Sequence, residues 1–255
     1  MAATAAEVGI RERAEAGFWT KVLVLARKDL VIEARARETL PPMLAFAFTV
    51  TLLLAFALPA GARIASAVRV PFGAVPVADV LSGYLWVTIL FAGLIGFART
   101  FEVERSGGAL DPLLLAPLDR SGLFAAKAAA NLVYLLALEL FLLPVFSIVF
   151  SANLGARWIV LMIVIVLADI GCVAVGTLFA ALAAQTRSRE LMLPVLALPI
   201  LVPAFIAAVE LTADVLTGAP LSDVAARGWF GILVAYDIVF TVVAALAFEF
   251  ALDQG

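Results

Sequence analysis

"PPMLAFAFTVTLLLAFALPAGA", Pro41 to Ala62, runs for 22 residues without a single charge. That is the length a helix needs to cross the hydrocarbon core of a bilayer, about 20 residues. Two further uncharged runs of similar length follow at Val80 to Ala98 and Leu191 to Val209. Three more, Ala128 to Ala156, Trp158 to Thr186 and Gly228 to Phe248, qualify if each is allowed one carboxylate. A chain of 255 residues that is 65% hydrophobic, with a mean hydropathy of +1.13, exceeds what a soluble core could hide. Strands facing lipid would have to close into a barrel with an alternating pattern, and these runs do not alternate. The reading is an all-α polytopic membrane protein with six transmembrane helices.

Orientation follows from Lys and Arg alone. Seven precede the first span, four lie between spans two and three, and two between spans four and five, against four on the opposite side, a ratio of 13 to 4. Both termini are therefore expected in the cytoplasm. The first forty residues mix Arg, Glu and Ala without an apolar signal core, so they do not read as a secretory signal. The expected organisation is a cytoplasmic N-terminus with an interfacial helix over 1–39, a six-span domain over 40–251, and a short cytoplasmic tail over 252–255.

Residue usage excludes several chemistries. The chain has one cysteine, Cys172, and no histidine, so disulfides, zinc clusters and the commonest general base are ruled out within one chain. Cys172, alone in an apolar helix, reads as a packing residue. No phosphate-binding Gly-x-x-x-x-Gly-Lys-Ser/Thr loop occurs, so ATP cannot be bound by that route. Nothing suggests nucleic acid as a partner. A membrane enzyme would need a cluster of catalytic groups near the interface, and none is found.

Between spans two and three lies "ERSGGALDPLLLAPLDRSGLFAAK", Glu104 to Lys127. Gly107 and Gly108 allow a sharp turn, and Pro112 suits the first turn of a helix. The apolar piece that follows is too short to span and too apolar to be a free loop. It should be a short amphipathic helix that docks on lipid headgroups or into a groove on another protein.

Here the residues become specific. The order Glu-Arg, Gly, Leu, a Leu-rich turn, Pro and a closing Lys resembles the permease subunits of ABC-2 type exporters. More closely, "RKDLVIEARARETL", "GALDPLLLAPLDRS", "NLVYLLALELFLLPVF" and "ELMLPVLALPILVPAFIAAVE" resemble the haem exporter permeases of the cytochrome c maturation system. The resemblance covers nearly the whole chain beyond its first twenty residues. It implies that Glu104, Arg105, Gly108, Leu110, Leu114, Pro117, Arg120 and Lys127 belong to a coupling helix seated on a separate ATP-binding cassette subunit, with Asp111 among the charges at its rim. It also implies a second permease copy, haem-handling membrane proteins and a haem chaperone as partners. This chain itself would carry no cofactor: ATP would sit on the partner, and haem would be substrate or would be held by a partner. The work would be haem export, or ATP-driven release of the loaded chaperone. The alternative is an ABC-2 permease for lipid, polysaccharide or drug.

Other residues invite a role. Before span one, Phe18, Val22, Leu25, Ile32 and Ala36 share a helical stripe, and Asp29 falls on it too. Asp29 is expected to make a local pair, or a polar contact with the ATPase or with the start of span three. Glu139, Asp169 and Asp237 lie within spans three, four and six, where a charge costs about 3 kcal/mol on insertion scales. They are expected to be protonated, paired with one another, or bonded to hydroxyls such as those of Thr177, Tyr134 and Tyr236. They are candidates for structural satisfaction or for the translocation path. Ala168, Cys172, Gly176, Ala180 and Ala184 form a four-residue-spaced small ridge, which predicts close helix contact. Pro194, Pro199 and Pro203 predict a kinked or locally unwound span five. The stretch after it, through Trp229 and Phe230, is expected to hold short re-entrant helices at the outer face.

Overall fold

The computed structural model describes residues 17–59, 67–70, 73–101, 120–152, 157–184 and 189–251. Among these residues there are eight helices: α1 (Phe18–Ala36), α2 (Leu40–Ala57), α3 (Val77–Arg99), α4 (Arg120–Phe150), α5 (Trp158–Ala184), α6 (Arg189–Thr217), α7 (Leu221–Ala226) and α8 (Trp229–Ala251). Six of them, all but α1 and α7, are long and apolar enough to cross a membrane. The chain is an all-α, multi-pass membrane protein. A small antiparallel hairpin, β1 (Ala67–Val70) and β2 (Gly73–Pro76), links α2 to α3, with Val68 opposite Val75. The hairpin was not anticipated, because four-residue strands beside long apolar runs leave little pattern.

The helix ends follow local chemistry. α2 stops at Ala57, short of the expected Ala62, because Leu58 precedes Pro59 and takes extended angles. α4 begins at Arg120, two turns before the expected start, since "SGLFAAKAAA" is Ala-rich and Lys127 is neutralised within the fold. α6 extends two turns beyond Val209, through Glu210 and Asp214, and ends at Gly218 with a left-handed φ of 73°. There the N–H of Ala219 bonds to the carbonyl of Asp214 at 3.0 Å, the six-to-one closure of a Schellman turn. So the expected outer loop is mostly helix, with α7 as its one short helix among the described residues. α6 also runs unbroken past its three prolines.

Packing places α3 and α5 at the centre. In each, 61% of the most apolar window is buried, against 22% in α2 and α8. The outward side chains are apolar, as hydrocarbon requires: Phe56 is 87% exposed and Ile148 79%. Between helices in lipid, close approach rather than the hydrophobic effect does the holding, so small residues matter. The ridge on α5 serves this purpose. Gly176 lies against the ring of Phe97 on α3, and Gly171 against Tyr236 and Asp237 on α8. Buried Trp86 of α3 donates from Nε1 to Thr212 of α6 at 2.8 Å. At the hairpin end of the bundle, the guanidinium of Arg157 binds the carbonyls of Gly218 and Ala219, and Arg227 pairs with buried Asp214 at 2.6 Å.

α1 lies at the opposite end and packs on the start of α4. Its buried residues are Val22, Leu25 and Ala26, and Phe18 reaches Gly122. Val22 and Leu25 belong to the expected stripe, whereas Ala36 is exposed, and Trp19 and Leu23 face outward. Glu33 then joins α1 to α2. Its Oε1 accepts the backbone N–H groups of Thr39 at 2.8 Å and Leu40 at 2.9 Å, capping the first turn of α2 from the neighbouring helix.

Candidate functional site

Positions 102–119 lie outside the described residues, and with them Glu104, Arg105, Gly108, Leu110, Asp111, Leu114 and Pro117. The residues that flank them are placed. α3 ends at Arg99, followed by Thr100 and Phe101, and α4 opens at Arg120, whose Nη1 donates to the carbonyl of Glu249 on α8 at 3.3 Å.

Two turns into α4 stands Lys127, with only 4% of its side chain exposed. A buried ammonium is costly unless paired and bonded, and this one is both. Its Nζ lies 2.9 Å from Oδ2 of Asp29, donates to the carbonyl of Thr100 at 3.1 Å, and sits 5.3 Å from the ring centroid of Phe101. Asp29 also pairs with Lys28 at 3.1 Å, and its carbonyl accepts from Tyr134 at 3.3 Å. Of the roles foreseen for Asp29, the structure shows both the local pair, with Lys28, and the contact with the start of span three, through Lys127. A cavity of about 40 Å³ opens among Asp29, Glu33, Thr100, Lys127, Asn131 and Tyr134. By its polarity and size it suits a few waters, at roughly 10–15 Å³ of such volume for each.

The polar chain continues inward. Thr100 Oγ1 donates to Asn131 Oδ1 at 3.1 Å, and Asn131 Nδ2 donates to Thr177 Oγ1 on α5 at 2.9 Å. Two turns further along both helices, Glu139 of α4 faces Asp169 of α5. Each member of one pair is eight residues from its counterpart in the other, about 12 Å along the helix. The antiparallel α4/α5 seam therefore carries two polar rungs, Asn131 with Thr177 and Glu139 with Asp169. That equal spacing is present in the sequence, where an uncharged Asn gives no reason to look for it.

The carboxyl groups are the second half of the site. Glu139 and Asp169 are 2% and 0% exposed, and none of their four oxygens meets a donor from another group among the described residues. The hydroxyls expected as partners are engaged elsewhere: Thr177 with Asn131, Tyr134 with Asp29, Tyr236 with the carbonyl of Ile200 at 2.9 Å. The two acids have one another, and two neighbouring carboxyls can hydrogen-bond only through a shared proton. Asp237 stands apart from the rungs, on α8 against Gly171 of α5.

One consequence can be measured directly. Glu139→Gln is expected to insert and assemble normally, with yield within about twofold of wild type, because the amide can donate to Asp169 without needing a proton. Size-exclusion of the detergent-solubilised protein reads this, and an aggregated variant would contradict the pairing.

Comparison with known proteins agrees with this architecture. The family described as CcmB protein matches residues 20–255, leaving out the same N-terminal stretch that the sequence resemblance left out. Heme exporter protein B of Rhodobacter capsulatus is 32% identical over 146 residues, covering 56% of this chain and 66% of that protein. The match thus spans just under two-thirds of that relative's length. With its six long apolar helices and all but its first residues inside the family's pattern, the chain belongs to the CcmB protein family.

Proposed function

We propose that this chain is the permease subunit of an ATP-driven complex serving c-type cytochrome biogenesis. The observation that carries the reading is the family match over 20–255, joined to a relative named as a heme exporter. In this reading the work is haem export, or release of a haem-loaded chaperone. ATP is hydrolysed on a separate cassette subunit, haem is substrate or is held by a partner, and a second permease copy completes a two-fold assembly.

The 13 to 4 excess of Lys and Arg supports an inner-membrane orientation with both termini in the cytoplasm. In that orientation α1, Lys127 and the flanks of 102–119 lie on the ATP side. Cysteines introduced at Ser121 and Ala219, with Cys172 replaced, should react from opposite sides. Ser121→Cys should need a membrane-permeant reagent, and Ala219→Cys should not. Labelling of position 121 from outside would overturn the orientation.

The complex is tested by isolation. A tagged chain extracted in mild detergent should bring down an ATP-hydrolysing subunit in stoichiometric amount. A chain that purifies without one from cells expressing the whole gene neighbourhood would overturn the permease reading.

A further inference from the structure

One chain of contacts crosses four helices at the α1 end of the bundle. It runs from Asp29 on α1 to Lys127 on α4, to the Thr100 carbonyl after α3, and back through the Thr100 hydroxyl to Asn131. From Asn131 it reaches Thr177 on α5. Thr100 and Phe101 immediately precede positions 102–119, and Lys127 stands two turns after they end. Lys127 thus joins both flanks of that segment and α1 at one ammonium. Asn131 carries the same connection into the α4/α5 seam, one rung below the carboxyl pair.

We propose that Lys127 is a positioning residue that makes α1, the two flanks of 102–119 and the α4/α5 seam move as a unit. The physical basis is that a buried charge tolerates few arrangements. Nζ leaves Asp29 or the Thr100 carbonyl only by giving up a buried, charge-assisted contact, so displacement of either flank pulls on α1 or breaks the node. Thr100 uses its carbonyl for Lys127 and its hydroxyl for Asn131, so the two halves of the chain share a residue. The role of this unit in coupling rests on the permease reading above. Its mechanical continuity does not.

Two measurements separate these claims. The first needs no ATPase. In the purified full-length chain, Asp29→Asn and Thr177→Val are combined in a thermal-stability cycle. These side chains share no contact, yet both end on the Lys127/Asn131 chain. The unit predicts non-additivity, with a coupling of about threefold or more in the unfolding constant. Additive effects would overturn the proposal.

The second uses the assembled complex. Lys127→Met should lower c-type cytochrome formation about tenfold or more and far more steeply than it lowers ATP hydrolysis, and Lys127→Arg should recover most of the loss. Normal cytochrome formation in Lys127→Met would overturn the proposal. If Lys127→Met does not assemble, Thr177→Val in the complex decides, with the same steeper loss of output than of hydrolysis expected and normal output contradicting it. A wild-type complex that neither hydrolyses ATP nor supports cytochrome formation would refute the permease reading, leaving the stability cycle to judge the unit.

Discussion

Gly176→Val is expected to leave almost no monodisperse protein after extraction from the membrane. A Cβ at position 176 would lie 2.4 Å from Cε2 of Phe97 and within 2.7 Å of two more ring atoms, distances that real contacts do not reach. Phe97 is 2% exposed, and its ring also borders Gly93, so it has no free space to enter. Overpacking a filled core costs about 1–3 kcal/mol, and a branched side chain at such a short distance falls at the top of that range or beyond. Gly176→Ala is the graded version, destabilised but recoverable. Because the clash is with one ring, Phe97→Leu should restore much of the stability in the Gly176→Ala background. A Gly176→Ala protein with an unchanged melting midpoint would mean that α3 and α5 are not packed as described.

The second large effect concerns positions 102–119. Leu110, Leu113 and Leu114 are among the apolar residues of that segment, which also holds Glu104, Arg105 and Asp111 and is followed by Arg120. In the permease reading they are buried against the cassette subunit. Leu114→Asp would then put an unpaired charge into a desolvated contact, a cost of about 3–5 kcal/mol, which a docking surface of this size could hardly absorb. The spans are not touched by the change. We expect the variant to insert and fold, to lose co-purification with the ATPase, and to lose cytochrome formation. Normal ATPase binding and turnover would instead mean that the segment rests on lipid headgroups.

The fold was legible because hydrocarbon imposes a coarse rule: an uncharged run of the right length must be a helix. That rule does not set helix ends. Pro59 ended α2 early, Asp214 could lie in helix because Arg227 neutralises it, and α4 began early because Lys127 is paired within the fold. The last two depend on a partner distant in sequence, which no window of neighbouring residues contains.

The site was half legible. Asp29 and the three mid-span carboxylates stood out because charge within or beside apolar sequence is costly, and Lys127 only through the family resemblance. Their partners were legible only as one alternative among several. Tyr134 and Thr177 were assigned to the acids because they were the nearest hydroxyls by depth, and helix rotation sends them to Asp29 and Asn131 instead. Asn131 was overlooked because a single Asn in an Ala-rich run carries no charge to explain. Only the antiparallel register of α4 on α5 shows that Asn131 meets Thr177 just as Glu139 meets Asp169. Glu33 carried no signal of its own, and its use as the cap of α2 depends on the turn at Arg37, where the chain takes a left-handed φ of 55°.

The central claim is that this six-span bundle does ATP-driven work in c-type cytochrome biogenesis. Its most direct test is the haem stain of c-type cytochromes in the chain's own host after deletion of its gene, with the gene then supplied back. The account predicts that covalently bound haem disappears from all c-type cytochromes on deletion, returns with the wild-type gene, and does not return with Leu114→Asp. Cells that lack the chain and still make haem-stained c-type cytochromes at the normal level would contradict it, and would turn the assignment toward an exporter of lipid, polysaccharide or drug.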